Sequence, residues 1–283
     1  LYTGKGYFMN NSQINYLPIM GTELAYLEAG QGLSLVFIHA GIANIQMWDQ
    51  QAPLAAHYHL VRYDMRGYGL SRPTGGKYAH YEDLLGLMDA LELEQAVLVG
   101  CSKGGGVAID AALSASDRVM GLVLVSSAPH GLQLDEPTAP PPQWEQAVEA
   151  FKAGDLDGAN ELEMQIWMDG YLQPVGRAPH DLREKVRKMN QIALDNEKNG
   201  PEAAELVLEP KAATRMTDLK IPTAIILGEL DDPDIHQAAK IMADEVPVTR
   251  INSIPDTAHL PNMERPSQFN QLVNEFIDEE ISR

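Results

Sequence analysis

The chain has 283 residues, 45% hydrophobic and 22% charged, a globular mix that is large for one domain but ordinary for an α/β domain with an insertion. Forty Asp and Glu stand against 21 Lys and Arg, a formal charge of −19. That balance excludes a nucleic-acid partner, which needs a basic footprint, and disfavours an anionic membrane surface; spread along the chain, the acidity reads as solubility. No apolar span approaches the ~18 residues of a transmembrane helix. The lone cysteine, Cys101, permits neither an internal disulfide nor a cysteine-ligated metal cluster. Residues 1–18 lack an apolar signal-peptide core, so a reducing cytoplasm is the expected compartment. Without an initiator Met, residues 1–8 read as a segment that need not be native, with Met9 as a candidate start.

The elements follow from hydrophobic period. Segments 14–20 and 23–29 alternate around Gly21-Thr22 and predict an antiparallel hairpin at a sheet edge. The run 33-LSLVFIHA-40 predicts a buried strand, 47–57 a helix, and 58-YHLVRYDM-65 a second buried strand. A helix over 79–93, a strand at 95-QAVLVGCS-102, a helix over 103–115 and a strand at 119-VMGLVLVSS-127 come next. Near-continuous apolar strands separated by helices predict βαβ units in a mostly parallel, doubly wound sheet covered on both faces.

The alternation breaks between 130 and 220. A proline-rich connector, 134-LDEPTAPPPQ-143, leads into helical patterns at 144–154, 157–171, 181–198 and 202–209 with no strand among them. Strands resume at 222-PTAIILGEL-230 and 248–254, with a helix over 236–245 between them. A final helix spans 266–281, with Pro266 at its first turn. The reading is a core of 1–130 and 220–283 with a helical cap, 131–219, inserted over the strand ends.

Within 97-VLVGCSKGGGVAID-110, two neighbouring residues could be a nucleophile. On a strand-to-helix elbow the residues two before and two after the nucleophile approach closely and must be small. For Ser102 these are Gly100 and Gly104; for Cys101 they are Val99 and Lys103. The spacing selects Ser102 and leaves Cys101 as a small buried hydrophobe. A serine needs a base, and the base an orienting acid. His259, between the last strand and the last helix, is the candidate base. At the end of 225-AIILGELDDPD-235, Asp231 is the candidate acid, with Asp232 and then Glu229 behind it.

In this order the segments resemble the α/β-hydrolase family along essentially the whole chain. The segment 36-VFIHAGIA-43 resembles its H-G-x turn, and 64-DMRGYGLS-71 its D-x-R-G-x-G-x-S turn. GCSKG resembles the nucleophile elbow, and GELD with the late Ala258-His259 the acid and base positions. Ala40 departs from the family, which usually has glycine there. The resemblance implies an α/β-hydrolase fold and an oxyanion hole of two backbone N–H groups. These are Lys103 and Gly41, with Ala40 or Ile42 as alternatives to Gly41. By the same pattern His39 hydrogen-bonds backbone to hold its turn, and Asp64 and Arg66 form a structural pair below the site.

GELDDPDIH and the Trp-Met segment of the cap are most similar to the carboxylesterase and 3-oxoadipate enol-lactonase branch. The implied function is hydrolysis of a small-molecule ester or lactone, without cofactor or metal, by a monomer or homodimer. Carbon–carbon bond hydrolysis of ring-fission products and cofactor-free perhydrolase or haloperoxidase chemistry use the same triad. A non-enzymatic receptor would be signalled by a broken one. Met47, Trp48 and Trp167 are the expected pocket residues. The carboxylates of 231-DDPD-234 are expected to serve a turn rather than a metal, and His57, His59, His80 and His236 to be solvated or capping.

Overall fold

The computed structural model describes residues 13–246 and 249–282; the reading of residues 1–8 and of Met9 lies outside them. The hairpin forms as β1 (Asn15–Ile19) and β2 (Thr22–Ala29). Then come β3 (Ser34–Ile38), a 3-10 segment (Ile45–Ala56) and β4 (His59–Tyr63). A short strand β5 (Gly76–Tyr78) precedes α1 (His80–Ala90), β6 (Ala96–Cys101), α2 (Lys103–Ser114) and β7 (Val119–Val125).

The insert follows with α3 (Pro142–Ala153), α4 (Leu156–Glu163), a π-helical turn (Met164–Asp169), α5 (His180–Asn199) and a short strand β8 (Ala203–Glu205). The chain then returns through β9 (Thr223–Gly228), α6 (Pro233–Glu245), β10 (Thr249–Ile254), α7 (Pro261–Glu264) and α8 (Pro266–Phe276).

Among the described residues the main sheet has the order β1-β2-β4-β3-β6-β7-β9-β10. The pairs β1–β2 and β2–β4 are antiparallel and the rest parallel. Alternation along each strand explains why both faces are apolar. In β3 and β6, Val36, Ile38 and Leu98 enter one core with Leu84, Leu87 and Val107 from the helices. Leu35, Phe37, Val97, Val99 and Cys101 enter the other, with Trp48, Phe269 and Val273. A strand buried on both sides must read as a continuous apolar run, as these do. No helix of the described residues is long and apolar enough to cross a membrane.

Two elements of the insert differ from expectation. Residues 202–209 do not form a helix: β8 pairs in parallel with β5, Gly76 opposite Ala203 and Tyr78 opposite Glu205. The partner strand lies 127 residues earlier, Gly76 to Ala203, beyond any local pattern. The helix expected over 157–171 is α4 followed by a π-helical turn, which ends at Gly170 with φ 101°. That widened turn carries Trp167 toward the sheet's carboxyl ends.

Candidate active site

Strand β6 ends at Cys101, and the chain turns into α2 through Ser102, whose φ of 52° and ψ of −117° are strained for a side-chain-bearing residue. The turn holds because its neighbours lack side chains. A Cβ on Gly100 would lie 2.3 Å from the Gly104 carbonyl oxygen, and one on Gly104 2.3 Å from the Ile38 carbonyl oxygen. Ser102 N–H donates to Val125 O at 2.8 Å, and Gly105 N–H to Ser102 O at 2.9 Å. Cys101 is fully buried among the core residues, which pushes its thiol well above the usual range, while Ser102 keeps part of its surface. The two neighbours thus have opposite surroundings.

His259 Nδ1 lies 2.8 Å from Asp231 Oδ1, with both residues buried. The carboxylate accepts, so Nδ1 is the donor; in the neutral ring Nε2 is then the atom that can take a proton. Asp231 is held by its own N–H on Gly228 O (3.2 Å) and by the Asp232 N–H on Oδ1 (2.8 Å). Asp232 turns away to cap α6, accepting from Asp234 N–H at 2.9 Å. Asp234 accepts from Thr138 N–H, and Glu229 from Asp256 N–H. Each carboxylate of this acidic turn therefore has a hydrogen-bonding partner in the protein. Cys101 Sγ lies 3.8 Å from His259 O, which sets the histidine loop against the strand end that presents Ser102.

A family described as the alpha/beta hydrolase fold matches residues 34–266. The chain belongs to that family. A pimeloyl-[acyl-carrier protein] methyl ester esterase of Photobacterium profundum is 28% identical over 263 residues, 91% of this chain and 100% of that protein. A hydrolase from Pseudomonas aeruginosa PA01 superposes with a TM-score of 0.74 at 26% identity, over 95% of this chain and 99% of its own. An enol-lactonase from Burkholderia xenovorans LB400 shares the fold, with a TM-score of 0.74 at 22% identity over 94% and 100%.

Across the elbow of this alpha/beta hydrolase lies the turn after β3. A Cβ on Gly41 would sit 3.8 Å from Lys103 Cβ, so Gly41 and Lys103 face each other. Ala40 N–H donates to Met47 Sδ at 3.3 Å, so this N–H of the turn has a partner within the protein. Met47 is fully buried, as is Trp48, whose ring packs 5.1 Å from Phe37 and 6.1 Å from Phe269. Both support the turn from the core. Trp167 keeps partial exposure; its ring lies 4.5 Å from that of His259, and its carbonyl accepts the His259 N–H at 3.2 Å.

His39 holds the turn as expected. Its Nε2 accepts from Met65 N–H at 2.9 Å, so Nδ1 must donate to Ala40 O at 2.8 Å. Burial pushes it down to about 4, against the Ala40 bond, so it is neutral near pH 7. The expected Asp64–Arg66 pair does not form. Asp64 accepts from the backbone of Ile45 (2.6 Å) and Leu70 (2.7 Å), and Arg66 pairs with buried Asp83 at 2.6 and 2.9 Å. Two residues apart on an extended segment do not face each other, and helix α1 supplies a closer carboxylate.

His80 is neither solvated nor capping. It is buried, both ring nitrogens lack a hydrogen-bonding partner, and Nε2 lies 3.8 Å from Glu205. Glu205, at the end of β8, also pairs with Lys103 Nζ. Burial works against that lysine's charge, but Tyr68 and Glu205 outweigh it and hold the ammonium above the usual lysine range. Residues 102 apart make this pair, and no motif announces it. His57 is exposed, and His59 bonds Glu28 and Ser34. His236 lines a cleft of about 580 Å³ with Tyr171, Asp231 and Lys240. That cleft borders Asp231, but Ser102 and His259 are not among its lining residues.

Proposed function

We propose that the chain is a serine hydrolase of small carboxylic esters or lactones, with Ser102, His259 and Asp231 as its triad. The observation that carries the reading is the buried 2.8 Å Asp231–His259 bond, on a loop that meets Cys101 at the strand end leading into Ser102, where the flanking glycines of the elbow cannot bear a Cβ. The coarser statement, an enzyme acting on ester bonds, is supported by the family and by the esterase of Photobacterium profundum. In this mechanism Ser102 Oγ attacks the substrate carbonyl carbon while His259 Nε2 takes the hydroxyl proton. Asp231 holds the imidazole tautomer and stabilises the imidazolium. The Lys103 and Gly41 N–H groups receive the oxyanion; Lys103 is at a helix start, where N–H groups have no partner within the helix. The tetrahedral intermediate collapses, and His259 returns the proton to the departing alkoxide. Water, deprotonated by His259, then attacks the acyl carbon; the bond to Ser102 Oγ breaks, His259 returns the proton to that oxygen, and the acid leaves.

The helical insert, 131–219, acts as the cap, and its Trp167 forms the pocket wall beside the base. A graded panel of p-nitrophenyl esters with a γ-lactone tests the activity, and a fluorophosphonate tests the nucleophile. Ser102→Ala is expected to lower kcat by roughly 10⁶-fold and to abolish labelling. Full activity in that variant, or labelling at Cys101, refutes the assignment.

A further inference from the structure

The loop that carries His259 is not held by the sheet alone. It contains Asp256 at φ 57°, and Ala258 and His259 have their N–H groups turned away from strand partners. Glu264, buried on α7, accepts the Ala258 N–H through Oε1 at 2.7 Å. Its other oxygen takes Arg177 Nη2 at 2.7 Å. Arg177 belongs to the insert. Its guanidinium also donates to Asp256 O at 2.9 Å, Met168 O at 2.6 Å and Asp169 O at 2.5 Å. One planar fork therefore joins three carbonyls and a carboxylate from three segments: the π-helical turn bearing Trp167, the loop bearing His259, and α7. The segment that presents Arg177 is itself fixed, since Asp169 accepts from Gly176 N–H and Ala178 N–H.

We propose that Arg177 is a positioning residue for His259, through which a seated insert sets the geometry of the base. The proposal rests on the Ser102–His259–Asp231 reading above. The physical ground is the donor set. A guanidinium offers five N–H groups in one plane, and four acceptors around it are already matched; a lysine ammonium offers three donors on a point charge and cannot span them. Glu264 passes the constraint to the residue before His259, and Trp167 passes it to His259 itself through the carbonyl that takes its N–H. Loss of the fork frees both sides of the histidine while leaving Ser102, Asp231 and the glycine elbow untouched.

The test compares Arg177→Lys, Arg177→Met and Glu264→Gln with Arg187→Met in the full chain. Arg187 is the control because its guanidinium pairs with Glu184 within α5 and bonds neither Asp169 nor the His259 loop among the bonds described. Three quantities are measured: kcat and KM on p-nitrophenyl acetate, the thermal midpoint, and the far-downfield imidazole N–H proton of the His259–Asp231 bond. That proton is assigned by its loss in Asp231→Asn. Arg177→Met is expected to lower kcat about 10²-fold, the scale of a misplaced catalytic group, with KM within about threefold. Arg177→Lys and Glu264→Gln are expected near tenfold, and the downfield proton should broaden or vanish in all three. Arg187→Met should keep kcat within about twofold and the downfield proton sharp, with little change in the thermal midpoint because the pair it removes is partly exposed. If Arg177→Met does not fold, Arg177→Lys and Glu264→Gln decide. Wild-type kcat with a sharp proton in the folded variants overturns the proposal, as does an equal loss of kcat in Arg187→Met. Failure of the triad reading looks different: wild-type protein would escape the fluorophosphonate altogether.

Discussion

The nucleophile elbow and the histidine loop each hold one side chain at the carboxyl end of the sheet, and they do so by opposite means. The elbow works by omission. Gly100 and Gly104 let strand, turn and helix approach to distances that a Cβ would forbid, and Ser102 is left in a strained conformation that its neighbours enforce. The histidine loop works by addition. Glu264, Arg177, Trp167 and Asp231 each contribute a hydrogen bond, and three of these four sit on segments remote from His259 in sequence. A close-packed turn is local and tolerates little change. A hydrogen-bonded loop is distributed and can be loosened one partner at a time.

The sharpest way to break the comparison is at the acid. Asp231→Asn is expected to lower kcat by about 10⁴-fold, because an amide N–H facing Nδ1 favours the wrong tautomer. Asp232→Asn, one residue along, keeps a capping side chain and should leave kcat within a few-fold, with less than about 1 kcal/mol lost from α6. Steady-state kinetics on both variants decide it; a greater loss in Asp232→Asn moves the acid by one position.

At the elbow the expected effect is on folding. Gly104→Ala places a Cβ against the carbonyl oxygens of Ile38 and His39, at 2.3 and 2.6 Å, and backbone cannot yield cheaply. A loss of about 3 kcal/mol or more is expected in urea unfolding. Gly41→Ala, on the facing turn, meets Lys103 at an ordinary 3.8 Å and should be near neutral in stability. Equal costs at the two glycines would show that the elbow is not limited by packing.

His39, which supports the facing turn, links that region to pH. Folded His39 takes a proton only near pH 4, whereas an unfolded histidine does so near 6.5. As pH falls through 6.5 the unfolded chain binds the proton first. Stability from this group is therefore complete above pH 6.5 and is lost down to about 4, a change of about 3 kcal/mol. Asp64, pushed up to about 6 by burial against its two backbone bonds, acts in the opposite sense over part of the same range. The measurement is thus the difference between wild type and His39→Gln in urea unfolding from pH 7.5 to 4. Parallel curves for the two proteins would contradict the buried neutral histidine.

The smallest effect is expected beside the nucleophile. Cys101→Ala removes one buried sulfur from the core, at a cost of about 1 kcal/mol, and should retain most esterase activity. An activity loss comparable to that of Ser102→Ala would erase the distinction between the two neighbours.

Much of this architecture is legible in consecutive residues. Strands buried on both faces must be apolar throughout, so β3, β6, β7 and β9 can be read as runs and their parallel order inferred. The elbow is legible because its requirement is steric and confined to five consecutive residues. His259 and Asp231 are legible as loop positions after the last strands, with the choice between Asp231 and Asp232 open. Only the tertiary structure shows which of the two faces the His259 ring, since neighbouring carboxylates differ in direction and not in spacing. The same holds for Arg66, which found Asp83 on α1 rather than Asp64. It holds too for Glu205, whose strand exists because β5 lies beside it, and for Arg177, whose four acceptors are drawn from segments up to 87 residues away. Local sterics and hydrophobic period are written into consecutive residues. Hydrogen-bond partners across long loops depend on how the chain has already folded, and appear only when those segments meet.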